Sequence, residues 1–421
     1  IRKKIEDPKD LQGDLPCERQ LGFGQVSFQI LFEPEGIGFY DPSLMILKYP
    51  HVLEARAGEH QNDRSILVDF SGGAHTDIDQ WAIARHLDIA AVNPYYDVQD
   101  RLDGHSATFT GDVARSLKMA NFLVTETNAQ TIGWNSKGQF PPYDGQLRLN
   151  AYSLIADGAN MVSYWHWHSL HYGQETYWKG ILSHDLEPNR VYEEFSRTAA
   201  ELKRVGPLLA NLERRNQVAI LFSIDSFHGI QFMPFSDRIN YQSFVQQFHR
   251  TLYQLNVGVD FVTPESDWSR YRVLLVPPLY VASDSDLEKL VAFVRDGGHV
   301  IVTLKSGFTN EFNTVRHAMM PGPLRPAAGF RYQEFSTLRQ PLPLRGDPFH
   351  AGEDNRVSEW AEMLILEGAE ALAWYDHPFF GRYPAITRNQ FGKGTFTYEG
   401  TVLTDALQRA VVLDVLTRAG L

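Results

Sequence analysis

The sequence predicts an α/β protein that begins with parallel β/α units, continues as a doubly wound domain and ends in a small β-rich domain. Two alternations of apolar runs with longer amphipathic stretches support this, one from Ser65 and one from Asn216. Short strand-like runs occupy the chain after about Glu359. With 421 residues, 43% of them hydrophobic, the chain can bury large cores, so we expect at least two domains.

The first alternation predicts four β/α units. Each predicted strand is an apolar run that ends in polar or acidic residues. The predicted strands are 65–70, 88–96, 121–127 and 160–168. Segments 76–87 and 145–159 have helical apolar spacing between them. A barrel of eight such units takes about 250 residues. Only 64 residues precede Ser65, which is too few for four more units of ordinary size.

A long amphipathic helix is predicted at the end of this part, over 191–212. Its apolar side chains recur on a nearly continuous face. They are Val191, Phe195, Ala199, Leu202, Val205 and Leu208. The domain boundary is therefore expected near 213–216.

The second alternation has the order β, α, β, β, α, β, which is typical of a doubly wound domain. Its predicted strands are 216–223, 257–263, 272–278 and 299–304, and its predicted helices are 241–255 and 284–296. The Pro-rich stretch 320–350 is predicted to be irregular. Further strands are predicted at 362–366, 386–391 and 393–400, before a final helix at 403–419. The predicted domains are 1–213, 214–355 and 356–421.

Charge and composition exclude several classes of function. The chain has 39 Lys and Arg against 51 Asp and Glu, a net charge of −12, so nucleic acid is not an expected partner. No stretch reaches the roughly 18 uncharged apolar residues of a membrane span, and no membrane partner is predicted. The first twenty residues carry no signal-peptide pattern. The compartment stays open, with the cytoplasm favoured.

Neither a disulfide nor a metal centre is predicted. Cys17 is the only cysteine, so an intrachain disulfide and a zinc cluster with two or more thiolates are excluded. Histidines 166, 168, 171 and 184 are close in sequence, but there is no HExxH pattern. A His-rich aromatic strand is more often a polar sugar-binding or core surface, and we expect no metal and no cofactor.

Three polar strand ends mark a candidate active site, because catalytic groups of parallel α/β folds lie at the carboxyl ends of strands. Glu126 closes the apolar run FLVTET, although a salt bridge or a helix cap would also explain a carboxylate there. The end of the next strand and the segment after it, residues 163–178, are rich in His and aromatic residues, which suits a pyranose ring or alternatively an interface. Asn93, Tyr95 and Tyr96 form the third strand end.

From SILVDF through VNPYY, FLVTETNAQTIGW and MVSYWHWHSLHYGQETYWKGIL, the chain resembles the second half of the catalytic barrel of glycoside hydrolase family forty-two, the β-galactosidases. Residues from VAILFSIDS to PGPLRPAAGFR are similar to that family's amidotransferase-like trimerisation domain, and the β-rich end resembles its small third domain. The resemblance covers about 65–421. It implies a (β/α)8 barrel, apparently incomplete at its N-terminal half, a β-galactoside substrate and a homotrimer.

The resemblance also implies roles for five residues. Glu126 matches the family's catalytic nucleophile, and Trp134, eight residues later, matches a Trp that packs against galactose. Glu175 matches a galactose-binding Glu, while Trp178 stands where many members have His. Tyr95 matches a Tyr close to the nucleophile, although the residue two positions earlier is Asn93 in place of the usual Asp.

The implied reaction is retaining hydrolysis, which needs a second carboxyl group as acid and base. In the family this group is the Glu of an Asn-Glu pair, and no such pair precedes Glu126 here, so the acid/base residue is not identified. Glu33 and Glu35 are the nearest upstream candidates, but the Pro between them favours an ordinary loop.

Three other functions compete with β-galactosidase activity: sugar binding without turnover, a structural role and glutamine amidotransferase chemistry. The loss of the first half-barrel is a separate hypothesis. If the first half of the barrel is missing or altered, the chain is an incomplete or inactive version of the enzyme. This hypothesis predicts that the chain does not hydrolyse aryl galactosides. A catalytically impaired relative would bind sugar without turnover, and a purely structural subunit would assemble without responding to galactose. Glutamine amidotransferase chemistry is rejected, because residues 216–350 contain no cysteine nucleophile.

Overall fold

The computed structural model describes residues 78–421 and the backbone of three earlier strands. Cys17 and Glu35 lie outside the described residues, and Glu33 lies in a strand whose side chains are not described. The chain divides into two compact units, one of residues 1–75 with 79–214 and one of residues 76–78 with 215–421.

The first unit contains a six-stranded sheet whose spatial order is β2-β1-β6-β5-β4-β3. Its strands are β1 (Phe28–Glu33), β2 (Gly36–Tyr40), β3 (Val68–Phe70), β4 (Ala90–Val92), β5 (Phe122–Val124) and β6 (Ala159–Tyr164). Strands β3 to β6 are parallel and adjacent in chain order, while β1 is antiparallel to both β6 and β2. The four strands predicted from Ser65 onward are confirmed, each shorter than its apolar run.

Among the described residues, four helices accompany this sheet: α1 (Gln80–Ala84), α2 (Gly104–Lys118), α3 (Gln146–Ala156) and α4 (Arg190–Leu209). The predicted segments contain α1, α3 and α4. Helix α2 is the helix that the second predicted β/α unit requires, and no bounds were predicted for it. The Asp103 carboxylate caps α2 by accepting a hydrogen bond from the His105 amide, and the Asn189 side chain caps α4.

The long helix α4 buries most of the predicted apolar face. Val191, Phe195, Ala199 and Leu202 are buried, but Leu208 is 76% exposed. The prediction for Leu208 is wrong because three residues fall short of a full helical turn of 3.6 residues. Each three-residue step therefore moves the side chain about 60° around the helix, away from the starting face. After two such steps from Leu202, Leu208 has left the buried face.

The second unit is built on a second sheet with a parallel centre in the order β8-β7-β9-β10-β18. Its first strands are β7 (Val218–Leu221), β8 (Val259–Val262), β9 (Val273–Val276) and β10 (His299–Thr303), and its first helices are α5 (Ile224–Phe232), α6 (Tyr241–Gln254) and α7 (Asp284–Arg295). All four predicted strands and two predicted helices are confirmed, while α5 was not predicted. Continuous apolar runs such as VLLV are expected of parallel strands covered on both faces.

The rest of this sheet is antiparallel and continues from β18 in the order β17-β16-β13-β14-β12. The remaining elements are α8 (Arg325–Ala328), β11 (Phe330–Arg331), β12 (Phe335–Thr337), β13 (Leu342–Arg345), β14 (Arg356–Glu362), β15 (Ile365–Leu366), β16 (Glu370–Tyr375), β17 (Pro384–Phe391), β18 (Gly394–Glu399), β19 (Thr401–Leu403) and α9 (Asp405–Arg418). The predicted irregularity of 320–350 is therefore wrong in part. Pro343 fits into strand β13 because the strand changes its pairing partner there. Residues 342–343 pair with β14, whereas residues 344–345 pair with β16.

The predicted division of the second unit near residue 355 stays a prediction, and one sheet runs across that position. Side chains from β9, β10 and β18 share one buried cluster with the inner face of α7. Within the part of the chain that the structure describes, none of the helices is long and apolar enough to cross a membrane.

Candidate active site

The candidate site lies at the carboxyl ends of three adjacent parallel strands in the first unit. Val92 of β4 pairs with Val124 of β5, and Val124 pairs with Val162 of β6. Tyr95 follows the end of β4 by three residues, and Glu126 follows the end of β5 by two. The parallel register therefore brings two residues that are 31 positions apart in sequence to the same edge of the sheet.

The central contact of the site joins Tyr95 to Glu126. The Tyr95 hydroxyl donates a hydrogen bond of 2.8 Å to Oε2 of Glu126. Both side chains are half-buried, so this bond is only partly shielded from water. A hydroxyl that donates to a carboxylate holds it in one orientation and stabilises its charged form.

An aromatic chain continues from Tyr95 through Trp178 to Trp134. The Trp178 ring meets Tyr95 edge-on at a centroid distance of 5.0 Å and Trp134 at 5.1 Å. Trp134 is 63% exposed, whereas Trp178 is only 9% exposed. Trp134 thus offers an open indole face, of the kind that packs against the apolar face of a sugar ring.

Hydrogen bonds fasten the loop after β5 to the loop after β6. The Trp165 amide donates to the Thr127 carbonyl at 2.8 Å, and the Lys179 amide donates to the Thr131 carbonyl at 3.0 Å. The Gln130 side-chain amide donates to the Gly180 carbonyl at 2.6 Å. Loops held together at three places give the site side chains a fixed frame.

Buried polar residues next to Glu126 support its backbone. Thr125 donates a side-chain hydrogen bond of 2.6 Å to Oδ1 of Asn93, and Oδ1 of Asn128 accepts one from the Tyr96 amide. Asn93 and Asn128 are both buried. Because these bonds cross between the loops after β4 and β5, they set the spacing from which Tyr95 reaches Glu126.

The histidines of the loop after β6 bond to backbone carbonyl groups. His166 is buried, and its Nε2 lies 2.9 Å from the Trp178 carbonyl oxygen. Burial lowers the pKa of His166, which favours a neutral ring that donates to this carbonyl. His171 and His184 contact the carbonyls of His184 and Leu170 in the same way. These contacts organise the loop after β6.

The structure brings four of the five predicted site residues into one chain of contacts: Glu126, Tyr95, Trp178 and Trp134. Glu175 lies in a 3-10 turn, Gln174–Tyr177, and its carbonyl accepts the Trp178 amide at 2.9 Å. Asn128, Gln130 and Thr131 were not singled out from the sequence. In the sequence, these three residues are distinguished only by being polar and by following an apolar strand.

Sequence comparison relates both units to known families. The family described as "Beta-galactosidase" matches residues 43–205, and the family described as "Beta-galactosidase trimerisation domain" matches residues 216–421. The chain is 31% identical over 325 residues to the β-galactosidase BgaB of Geobacillus sp. strain Y412MC61. The aligned region covers 76% of this chain and 47% of that protein. It is 28% identical over 320 residues to BgaA of Clostridium cellulovorans, covering 75% and 48% of the two chains.

Solved structures give the same relation. The fold is similar to that of the β-galactosidase from the haloarchaeon Halorubrum lacusprofundi, with a TM-score of 0.74 and 27% identity over 84% of this chain and 54% of that one. The enzyme from Rahnella sp. R3 has a TM-score of 0.74 and 25% identity over 84% and 53% of the two chains. The chain spans about half the length of the curated relatives that it matches.

Proposed function

Because this chain belongs to the β-galactosidases of glycoside hydrolase family forty-two, we propose that it cleaves terminal β-D-galactosides with retention, using Glu126 as the nucleophile. The observation that carries the proposal is the 2.8 Å hydrogen bond from the Tyr95 hydroxyl to the Glu126 carboxylate. It lies where parallel β/α folds keep their active sites, at the carboxyl ends of the strands.

In the proposed reaction, a Glu126 oxygen attacks the anomeric carbon while the bond from that carbon to the leaving oxygen breaks. A second carboxyl group gives its proton to the leaving oxygen. The same group then takes a proton from water, whose oxygen displaces Glu126 from the sugar and releases galactose. In retaining enzymes the two carboxyl groups are about 5–5.5 Å apart. We assign this acid/base role to no residue.

The Tyr95 hydroxyl has two tasks in this scheme. It orients Glu126 for attack along the line of the breaking bond, and it stabilises the negative charge that returns to Glu126 when the glycosyl-enzyme breaks down. Both tasks depend on the hydrogen bond that the Tyr95 hydroxyl donates to Oε2. In this scheme the other carboxylate oxygen of Glu126 is the attacking atom.

We propose that Trp134 forms the sugar platform. Its open indole face and its contact with the buried Trp178 ring support this role, because a platform needs a free face and a fixed position. Glu175 stays a predicted sugar-contacting residue from family resemblance. The same resemblance predicts a sugar contact for Trp178, whose ring is buried. The Glu175 side chain is half-buried in the loop after β6.

The architecture and assembly are proposed on the same basis. Four consecutive parallel β/α units support the proposal that the first unit is the second half of a (β/α)8 barrel. The parallel centre of the second unit supports an amidotransferase-like domain. The match to a trimerisation domain supports a homotrimer, which sedimentation equilibrium would test.

The function is tested with nitrophenyl β-galactoside and with a 2-deoxy-2-fluorogalactosyl fluoride, which traps the nucleophile of retaining enzymes as a stable ester. We expect turnover and a single added sugar mass on a peptide that contains Glu126. Glu126→Gln, which keeps the hydrogen bond acceptor, should lose both signals, whereas Glu193→Gln on the exposed face of α4 should keep both. A folded chain that shows neither signal would contradict the proposal.

A further inference from the structure

Trp178 lies between two residues of the proposed site. Its ring is edge-on to Tyr95, with an interplanar angle of 79°, and is inclined by 61° to Trp134. Tyr95 in turn donates its hydroxyl to Glu126. A movement of the Trp178 ring would therefore reach the proposed nucleophile through one intervening side chain.

The backbone around Trp178 is held on every side. Its amide donates to the Glu175 carbonyl, and its own carbonyl oxygen lies 2.9 Å from Nε2 of His166. Its two sequence neighbours are fastened to Thr131 in the loop after β5: the Thr131 hydroxyl donates to the Tyr177 carbonyl, and the Lys179 amide donates to the Thr131 carbonyl. Trp178 is thus a fixed support for the rings that touch it.

Burial separates the role of Trp178 from that of Trp134. A ring that packs against a sugar needs an open face, and Trp134 is 63% exposed while Trp178 is 9% exposed. The Trp178 indole N–H is also buried, and no described group accepts a hydrogen bond from it. The contacts that the structure describes for the Trp178 ring are packing contacts with Tyr95 and Trp134.

We infer that Trp178 is a positioning residue, whose indole ring packs against the Tyr95 ring so that the Tyr95 hydroxyl stays on the Glu126 carboxylate. The inference rests on the proposed function and deepens it. It gives Trp178 an action on the nucleophile through Tyr95, in place of direct packing against the sugar. The loss of Trp178 should then mainly slow the chemical steps, while substrate binding should weaken only through the Trp134 ring that Trp178 also touches.

A double-mutant cycle tests this action. We expect Trp178→Ala and Tyr95→Phe each to lower kcat about 10- to 100-fold on nitrophenyl β-galactoside, the loss expected when a carboxylate loses a hydrogen bond. KM should rise by less than the roughly tenfold increase expected when the Trp134 ring itself is removed. The double variant should be no slower than Tyr95→Phe alone, because the Tyr95 ring has no hydroxyl left to position. Losses that multiply, or a raised KM with unchanged kcat, would overturn the inference.

Two further variants separate positioning from general damage. Trp178→Phe keeps an aromatic ring beside Tyr95 and should recover most of the lost kcat. Trp268→Phe is the matched control, because Trp268 is a buried Trp in the core of the second unit. It should lower thermal stability and leave kcat unchanged. If Trp178→Ala does not fold, Trp178→Leu takes its place, since Leu fills volume without an aromatic edge.

Failure of this inference is distinguishable from failure of the proposed function. If the unaltered chain is labelled by the fluorosugar and Trp178→Ala is labelled at the same rate, the inference fails and the function stands. If the unaltered chain neither turns over nor is labelled, the proposed function fails. In that case, crystal structures of the unaltered chain and of Trp178→Ala test the inference. It is overturned if Trp178→Ala keeps the hydrogen bond between Tyr95 and Glu126.

Discussion

Asp112 and Asp157 share one cation: the Arg214 guanidinium lies 3.1 Å from Oδ1 of Asp112 and 3.2 Å from Oδ1 of Asp157. Both carboxylates are buried, and Arg115 pairs with Asp112 from the same helix. Burial and the neighbouring Asp112 raise the pKa of Asp157 to about 7, although both arginines act in the opposite direction. Arg214, the last residue of the first unit, is therefore tied to α2 and to the turn before β6.

Removal of Arg214 should destabilise the first unit most at alkaline pH. Arg214→Gln leaves two buried carboxylates with one cation fewer, so we expect the free energy of unfolding to fall by about 1–3 kcal/mol at pH 8.5. The loss should be smaller at pH 5, where Asp157 is protonated. Urea titrations at both pH values measure the difference. Arg190→Gln, which breaks an exposed pair with Asp144, is the control and should change stability by less than about 0.5 kcal/mol. Equal losses at both pH values would contradict this prediction.

The buried Glu399 should make the second unit less stable as the pH rises. Burial raises its pKa to about 8, and its partner is the side-chain amide of Gln408, at 2.7 Å. Since the folded chain holds this proton up to a higher pH than the unfolded chain, the free energy of unfolding falls between about pH 4.5 and pH 8. The slope reaches at most about 1.4 kcal/mol per pH unit.

Glu399→Gln keeps the acceptor for Gln408 and removes the ionisation. We expect this variant to lose less stability between pH 5 and pH 8 than the unaltered chain, as measured by denaturant titration at each pH. Some slope should remain, because burial also raises the pKa of Glu362, to about 7. Parallel stability curves for the two proteins would show that Glu399 does not titrate in this range.

Gly180 should tolerate no side chain. A Cβ atom at this position would lie 2.4 Å from the His166 carbonyl oxygen and 2.7 Å from the His168 carbonyl carbon, both of them backbone atoms. Gly180→Ala must therefore move the loop that carries Trp178, and we expect a loss of at least tenfold in kcat together with a lower melting temperature. At Gly400 the nearest atom would be 3.4 Å away on a Leu364 side chain, so Gly400→Ala is the control with a much smaller effect. An unchanged kcat in Gly180→Ala would refute the prediction.

Trp134 should matter for substrate binding more than for stability. Because its indole face is open, Trp134→Ala removes little buried area, and we expect the melting temperature to shift by only about 1–2 °C. KM for nitrophenyl β-galactoside should rise about tenfold, since the sugar loses its platform. Trp134→Phe should restore part of the affinity. A KM that stays unchanged in Trp134→Ala would exclude the platform role.

The sequence located the strand ends of the site because the alternation of apolar runs and polar closing residues is a local property. Glu126 and Tyr95 were both identified in this way. Their hydrogen bond could not be read from the sequence, since it depends on the pairing of Val92 with Val124, which is a register between strands. Local patterns predict which residues end a strand, whereas sheet pairing decides which of those ends meet.

Helix α2 shows a second limit of local patterns. Gly104–Lys118 carries Gly, Ser and Thr at several positions, which weakens the helical signal, yet the helix forms with an Asp103 cap and a largely buried surface. Packing against neighbouring elements compensates for poor intrinsic propensity. Helix α5 was missed for another reason: it has only 9 residues, and its N-cap, Ser223, comes almost directly after a strand.

The sequence by itself determined the α/β class, four parallel strands in each of the two units, and the carboxylate and aromatic residues of the candidate site. Only the tertiary structure decided that Tyr95 contacts Glu126, that Trp178 is buried while Trp134 is exposed, and that Asp112 and Asp157 share Arg214. Composition and periodicity depend on neighbours along the chain. Burial and hydrogen bonding depend on neighbours in space, which the chain acquires only when its strands pair and its loops pack.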